Sequence, residues 1–373
     1  MPTRRAWMGT VLGLWAGGRL SGGQQDRKVR VRVRTVHEQI RREAEQAPLR
    51  MKFTGSTEAE CRRWQRAFSR KLRELLGPHS PPPKWTAVTE RVVELPDHRR
   101  HELVLQAPGV PSLPVYLLQP KEKAPAPRPG ILALHGHGPY GYDPVAGIAA
   151  TEERRRNIAQ SNYDYGLQLV RRGYVVAIPC FTPFGRRLDD REAYGGDDPC
   201  AVTFVRMQLL GKVLMAENLR DALWALELLA RRPDVDAGRL GCVGLSYGGR
   251  MTMLATALEP RIRVAVIAGA LNVMQERILH RYSCGAQVIP GLLQYGDVPE
   301  ISGLIAPRPC LWVVGRRDPL MVRDWIPRAW ERIQRAYRAF RAEDNLQMDS
   351  FDGGHRWNGR LAYPLLEQTL RPA

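Results

Sequence analysis

The sequence predicts an α/β fold in which a mostly parallel central sheet carries helices on both faces, with a helical extension at the N-terminal side. Three observations support this prediction: short apolar runs recur along the chain, the later runs are nearly uninterrupted, and amphipathic helical segments lie between them. Parallel strands buried on both faces have such continuous runs, and their alternation with helices is typical of βαβ units. A length of 373 residues suffices for one large domain of this class plus an appendage.

Residues 1–50 are basic, and we expect them to form a flexible segment. Arg4 and Arg5 precede an apolar stretch of about a dozen residues, a pattern similar to a twin-arginine export signal. This stretch lacks an A-x-A-like cleavage site. We therefore expect a cytoplasmic protein, with export as the alternative.

Residues 51–84 predict a helical extension followed by a proline-rich linker. Thr57 and Glu60 have the spacing of a capping box, and the helix should end at Gly77-Pro78. An apolar stripe at helical spacing indicates a packing surface, and it comprises Cys61, Trp64, Phe68, Leu72 and Leu75. The segment SPPPK, at residues 80–84, leads into the main domain, residues 85–373.

The main domain contains nine candidate strands. They are residues 92–95, 101–107, 114–120, 130–136, 174–180, 239–245, 264–270, 310–315 and 346–351. The first three are closely spaced, which predicts an antiparallel start to a mixed sheet. The clearest intervening helix has Met215, Leu219, Leu223, Leu226 and Ala230 on one face.

The formal net charge of +18 raises the question of a nucleic-acid partner. Most of the excess lies in residues 1–84, which hold 19 Lys and Arg against 7 Asp and Glu, and no nucleic-acid-binding motif accompanies it. We expect no nucleic-acid partner, although polyanion binding through the basic segment stays an alternative. No continuous apolar block of about 20 residues is present, so we expect no membrane association. The sequence leaves homo-oligomerisation open.

Six cysteines are spread along the chain without a C-x-x-C pair: Cys61, Cys180, Cys200, Cys242, Cys284 and Cys310. This spacing predicts neither a zinc cluster nor a dense disulfide framework. Several of them fall in apolar runs, where a thiol is usually a small core residue. A bridge between Cys180 and Cys200 stays open.

One serine stands between glycines in the sequence Gly244-Leu245-Ser246-Tyr247-Gly248. This G-x-S-x-G pattern is weak alone, but here it follows a predicted buried strand and precedes a predicted helix. A sharp strand-to-helix turn exposes the serine hydroxyl at the carboxyl edge of a parallel sheet. We therefore predict Ser246 as a nucleophile.

A serine nucleophile needs a histidine base and an acid that orients the histidine. In α/β sheets with such a strand-to-helix turn, the acid follows the serine along the chain and the histidine follows the acid. Only His280 and His355 come after Ser246, and His355 lies in a glycine-flanked loop after the last predicted strand. We predict His355 as the base. Asp318 follows the intervening strand and is the predicted acid, with Asp324 and Asp352 as competitors.

An oxyanion hole requires backbone N–H donors, which we predict at Tyr247 and at His137 in a glycine-rich turn after an earlier strand. His135 and His137 could instead form a turn pair or a metal site, but the sequence offers no third ligand at suitable spacing. We therefore expect no metal and no organic cofactor. Tyr140, Phe181 and Arg250 are the candidate substrate contacts.

The chain resembles the α/β-hydrolase superfamily, and within it the dienelactone hydrolase and acetyl xylan esterase-like branch. The resemblance covers about residues 50–370 and rests on RPGILALHGHG, YDYGLQLVRRGYVVAIP, the GCVGLSYGGR elbow, residues 285–319 and the terminal DGGH. It implies a serine hydrolase acting on carboxylic esters with the residues predicted above. Typical dienelactone hydrolases use a cysteine nucleophile, so Ser246 favours ordinary esterase chemistry.

We therefore expect a small-molecule ester substrate with a short acyl group, with acetylated sugars among the candidates. The alternatives are a peptidase-like amide hydrolase, and a non-catalytic or polyanion-binding protein. All three predicted triad positions hold competent residues, which argues against the last.

Overall fold

A mixed sheet of nine strands forms the centre of the computed structural model, which describes residues 31–122, 124, 127–280 and 283–371. The strands are β1 (Thr86–Glu94), β2 (His98–Gln106), β3 (Leu113–Pro120), β4 (Arg128–Leu134), β5 (Val175–Pro179), β6 (Val235–Leu245), β7 (Ile262–Ala268), β8 (Cys310–Gly315) and β9 (Leu346–Phe351). Their spatial order is β1-β2-β3-β5-β4-β6-β7-β8-β9.

The direction of pairing changes once across the sheet. The pairs β1–β2, β2–β3 and β3–β5 are antiparallel, whereas all pairs from β5–β4 to β8–β9 are parallel. Strands β5, β7 and β8 are almost entirely buried, which explains their continuous apolar runs. The predicted mixed sheet is confirmed. Strand β1 begins at Thr86, six residues before the predicted start, because nearly the whole strand is exposed and polar residues interrupt its first part.

Helices cover both faces of the sheet, as predicted. They are α1 (Val36–Glu45), α2 (Glu58–Leu76), α3 (Glu152–Ser161), α4 (Tyr165–Val170), α5 (Pro199–Leu209), α6 (Leu214–Ala230), α7 (Tyr247–Leu258), α8 (Met274–His280), α9 (Val298–Gly303), α10 (Ile326–Ala339) and α11 (Ala362–Leu370). One core includes side chains of α2, α6, α7 and α10, and the other includes side chains of α4 and α11.

No single helix in the described ranges is long and apolar enough to cross a bilayer. Helices α5 and α6 reach the required length and composition only together, and they meet at a bend of 100°.

The helical extension forms as the sequence predicts. Thr57 caps α2, and Glu60 returns the capping contact to the Thr57 backbone N–H at 3.0 Å. The buried side of α2 packs into the larger core, and the Gln65 amide donates to the carbonyls of Gly303 and Ala306. The extension is therefore docked on the sheet domain.

The prediction that residues 1–50 form a flexible segment is wrong for residues 36–45. Residues 36–45 form α1, which begins with a second capping box between Thr35 and Glu38. The Gln275 amide donates to the Ala44 carbonyl, and the Met51 N–H donates to the Tyr295 carbonyl at 2.7 Å. Only Ala44 of α1 is buried, so the helix has no apolar stripe to reveal it. Arg4, Arg5 and most of the basic stretch lie outside the described residues.

We expect Thr57→Ala to lower the free energy of unfolding by about 1 kcal/mol, since it removes the N-cap acceptor of α2. Urea unfolding followed by circular dichroism measures this loss. Thr54→Ala is the matched control because Thr54 is exposed and precedes the cap. Equal stability of the two variants would contradict the capping role.

Candidate active site

Ser246 occupies a sharp corner between β6 and α7. Its backbone has φ 64° and ψ −121°, a conformation that costs a non-glycine residue about 1–3 kcal/mol. The Ser246 N–H donates to the Ala268 carbonyl of β7 at 2.8 Å, which fixes the corner to the neighbouring strand. The side chain therefore stands at the carboxyl edge of the parallel strands.

The glycines around Ser246 are required by close backbone packing. A Cβ at Gly248 would lie 1.9 Å from the Leu134 carbonyl oxygen at the end of β4. A Cβ at Gly244 would lie 2.4 Å from the Gly248 carbonyl carbon. Any side chain at either position would push α7 away from the sheet, so the G-x-S-x-G pattern has a steric cause here.

Asp318 and His355 form a hydrogen-bonded pair across two strand ends. The His355 Nδ1 and an Asp318 carboxylate oxygen are 2.7 Å apart, and the other carboxylate oxygen accepts the Leu320 N–H at 2.8 Å. Asp318 is only 3% exposed. A buried carboxylate is stabilised when hydrogen bonds replace its water, and here both oxygens have a protein donor.

The loop that carries His355 is attached to the end of β8. The Arg317 N–H donates to the Gly353 carbonyl at 2.8 Å, and a Cβ at Gly315 would lie 2.3 Å from the Gly354 carbonyl oxygen. On the other side of the ring, a Cβ at Gly269 would lie 2.8 Å from the His355 Cε1 atom. The loop is thus fixed to β8, and Gly269 leaves room for the imidazole beside it.

The second ring nitrogen of His355, Nε2, is buried and has no hydrogen-bond partner among the described residues. His355 and Ser246 line the same two adjoining cavities, together with His137 and Leu320. The structure therefore brings the predicted nucleophile, base and acid to one edge of the sheet.

The two cavities have different walls. The first has a volume of about 220 Å³ and includes Tyr140, Pro144 and Tyr163. The second, of about 260 Å³, includes Arg250, Asn272 and Cys284. A larger apolar cavity of about 770 Å³ is lined by residues of α1, α8 and the 288–294 segment, and Ser246 is not among them.

The turn after β4 presents His137 toward the first turn of α7. The neighbouring Gly136 N–H already donates to the Tyr163 hydroxyl at 2.7 Å, so it cannot serve a ligand. The His137 ring packs against the rings of Phe184 and Tyr247. Tyr247 is the first residue of α7, where a backbone N–H has no partner within the helix. This arrangement fits the two predicted backbone donors.

His135 is a satisfied turn residue. Its Nδ1 donates to the Gly136 carbonyl at 2.8 Å, and its Nε2 accepts the Phe181 N–H at 2.9 Å. Burial lowers the pKa of His135 to about 4, so the ring is neutral at physiological pH. Of the two open interpretations for this histidine, the turn pair describes it.

The three predicted substrate contacts occupy different places. Tyr140 lines the first cavity, and the Arg154 guanidinium lies over its ring at 4.6 Å. Arg250 lines the second cavity and is only 2% exposed. Phe181 lines neither cavity and instead packs, fully buried, against His135 and Tyr247, so the prediction that it contacts substrate is corrected to a supporting position.

Arg250 is held by uncharged partners. Its Nε donates to the Gln287 amide oxygen at 3.2 Å, and its Nη2 donates to Asn272, while Nη1 has no partner among the described residues. Burial lowers the pKa of Arg250 to about 10, which still leaves it charged at neutral pH. The second cavity thus has a positively charged wall.

The other two candidate acids and the other histidine after Ser246 are not part of the Asp318–His355 pair. Asp324 lies in a short 3-10 helix, and exposed Asp352 forms an ion pair with Arg317 at 3.2 Å. His280 ends α8 and lines the large apolar cavity.

Cys180 is a free thiol whose sulfur donates to the Phe184 carbonyl, so the bridge with Cys200 is absent from the described structure.

Several residues at the site were not found from the sequence. Gly269, with φ 59°, ends β7 and faces the His355 ring, and its position at a strand end was the available signal. Tyr163 and Leu320 line the cavities without any motif that marks them. Cys284 lies beside His137, with 2.7 Å between the imidazole Nε2 and the sulfur.

The chain is similar to known proteins over parts of its length. Residues 152–285 match the dienelactone hydrolase family. YtaP of Bacillus subtilis (strain 168), named as a candidate hydrolase, is 28% identical over 275 residues, which span 72% of this chain and 86% of that protein.

Similar solved structures have esterase names. A candidate acetyl xylan esterase from Bacteroides fragilis NCTC 9343 has a TM-score of 0.72 at 18% identity, covering 87% of this chain and 84% of its own. A glucuronoyl esterase from Solibacter usitatus has a TM-score of 0.61 at 16% identity, covering 85% and 94%. At these identities the structural likeness establishes a shared fold.

We expect Gly248→Ala to destabilise the protein by about 1–3 kcal/mol or more, because its methyl group would collide with the Leu134 carbonyl. The measurement is the urea midpoint. Gly354→Ala is the control, since its added Cβ would meet no atom within 4 Å. A tolerated Gly248→Ala would show that α7 does not depend on this close approach.

Proposed function

We propose that this chain is a hydrolase that cleaves carboxylic esters through a serine nucleophile. Its fold is similar to that of α/β-hydrolase esterases, and its residues 152–285 match the dienelactone hydrolase family. One observation carries the proposal: the imidazole of the Asp318–His355 pair has a buried, unpartnered Nε2 in the cavities that Ser246 also lines. Such a nitrogen is positioned to accept a proton from a hydroxyl.

The first half of the proposed reaction transfers the acyl group to the enzyme. Ser246 Oγ attacks the ester carbonyl while His355 Nε2 removes its proton. Asp318 keeps the proton of the neutral ring on Nδ1 and stabilises the imidazolium that forms. His355 then protonates the leaving alcohol, and the acyl group stays on Ser246.

Backbone donors stabilise the oxyanion in this mechanism. The His137 N–H, in the turn after β4, and the Tyr247 N–H, at the start of α7, would donate to the tetrahedral intermediate. Water, activated by His355, then attacks the acyl-enzyme through a second oxyanion of the same geometry. Each step uses only groups of this chain and solvent.

The cavity walls favour a small ester with a polar component. Both cavities are below the roughly 300–1,000 Å³ typical of sites for drug-sized ligands, so a short acyl group fits better than a long chain. Arg250 places positive charge in the second cavity, which favours a polar or acidic alcohol portion. The esterase names of two structural neighbours support the same substrate class, including acetylated or uronic sugars.

We expect Ser246→Ala to lose labelling by a fluorophosphonate probe and to lower kcat/KM for an ester by about 10³-fold or more. The variant should keep the wild-type circular dichroism spectrum, since alanine fits the space of serine. Ser350→Ala, an exposed serine of β9, is the matched control and should label normally. Undiminished ester hydrolysis by Ser246→Ala would refute the serine mechanism.

Substrate size can be tested with p-nitrophenyl esters of increasing acyl length, alongside an acetylated sugar and a peptide anilide. We expect kcat/KM to fall as the acyl chain grows beyond the cavity volume, and we expect little cleavage of the anilide. Preference for the anilide would instead favour the peptidase-like alternative.

A further inference from the structure

Three potential metal ligands meet beside the candidate active site. The His137 Nε2 and the sulfur atoms of Cys200 and Cys284 all lie within 4.8 Å of one another. They come from the turn after β4, the first turn of α5 and the residue before a 3-10 helix at 285–287. The three are far apart in sequence, so no motif announces them.

The three ligand atoms converge without a bound ion. The Cys284 sulfur lies 2.7 Å from the His137 Nε2, and the buried Cys200 brings a second sulfur within 4.8 Å of both atoms.

The donor set selects the class of metal. Two cysteine sulfurs and one imidazole nitrogen are typical of zinc sites, and three protein ligands leave the fourth tetrahedral position open. With bond lengths of about 2.3 Å to sulfur and 2.0–2.1 Å to nitrogen, neighbouring ligand atoms lie roughly 3.5 Å apart. The 2.7 Å contact between His137 and Cys284 would therefore widen by about 1 Å, a shift within reach of side-chain rotation.

We propose that His137, Cys200 and Cys284 bind a divalent ion of the zinc class. Two metal–sulfur bonds and one metal–nitrogen bond form, the protons of the two thiols leave to solvent, and water fills the fourth position with no change of oxidation state. Because His137 and Cys284 line the second cavity together with Ser246, a bound ion narrows the path to the serine. This last consequence, a reversible loss of esterase activity, rests on the proposed function.

Cobalt titration of the full-length protein tests the site without any assay of activity. The protein is first treated with a chelator and kept reduced with a phosphine. We expect one equivalent of Co²⁺ to give a thiolate charge-transfer band that Zn²⁺ abolishes by displacement. Cys200→Ser and Cys284→Ser should each weaken binding by more than about 100-fold, since even losing an outer-shell partner costs 10–100-fold.

Cys61→Ala is the matched control, because Cys61 is a buried free thiol in α2 outside the cluster, and it should bind Co²⁺ like the wild type. No band in the wild type, or an equal band in both serine variants, would overturn the proposal. In an active preparation, Zn²⁺ should lower kcat/KM, a chelator should restore it, and Cys200→Ser should be insensitive. Inactivation that only oxidant causes and only a thiol reductant reverses would show a Cys200–Cys284 disulfide instead.

A wild type that hydrolyses no ester but gives the Co²⁺ band would refute the proposed function and support the metal site. An active wild type without the band would do the reverse. The two proposals therefore fail separately.

Discussion

The contact between the start of α7 and the end of β4 is the constraint on which the site depends. Leu134 presents its carbonyl oxygen where a Cβ of Gly248 would stand, so the helix reaches the sheet only because that atom is missing. This approach fixes the direction in which α7 leaves the sheet. It also brings the turn that contains His137 beside Tyr247, as the contact of their rings shows. A larger residue at 248 would separate the two backbone donors that the proposed mechanism assigns to one oxygen atom.

Asp318 and His355, the proposed acid and base, are held in place without any bound ligand. Backbone hydrogen bonds join the loop after β8 to the loop after β9, and Asp318 is held from both carboxylate oxygens. The strained backbone of Ser246 is tolerated because the surrounding contacts determine it. Rigid support of this kind is what a reacting constellation needs, since small displacements of the reacting groups are costly.

The sequence predicted most reliably those features that depend on residues close together in the chain. Strands such as β7 and β8 are continuous apolar runs because both of their faces are buried. The elbow was predictable because its glycines are sequence neighbours of Ser246. Helix α1 was missed because it buries a single alanine, although its Thr35–Glu38 capping box was visible.

Other features depend on long-range assembly. Gly269 is recognisable only once the His355 ring is in place beside it. His137 lacked a third ligand at suitable spacing because its thiol neighbours come from α5 and from the segment before residue 285. Phe181 directly follows a predicted strand, like a site residue, but its ring lies under the turn that contains His135. Hydrophobic periodicity assigns such residues to a helix or strand, but it does not show which distant residues pack against that helix or strand.

His137 links the two halves of the cleft. Its backbone lies in the turn that would stabilise the oxyanion, whereas its imidazole contacts Cys284 on the charged side of the cleft. A change at the thiol pair therefore acts on the same residue that faces the reacting carbonyl. The ring also packs against Phe184 and Tyr247, so it contacts the first residue of α7 as well as the thiol. If both proposals hold, His137 is the residue that connects the cysteines with the oxyanion site.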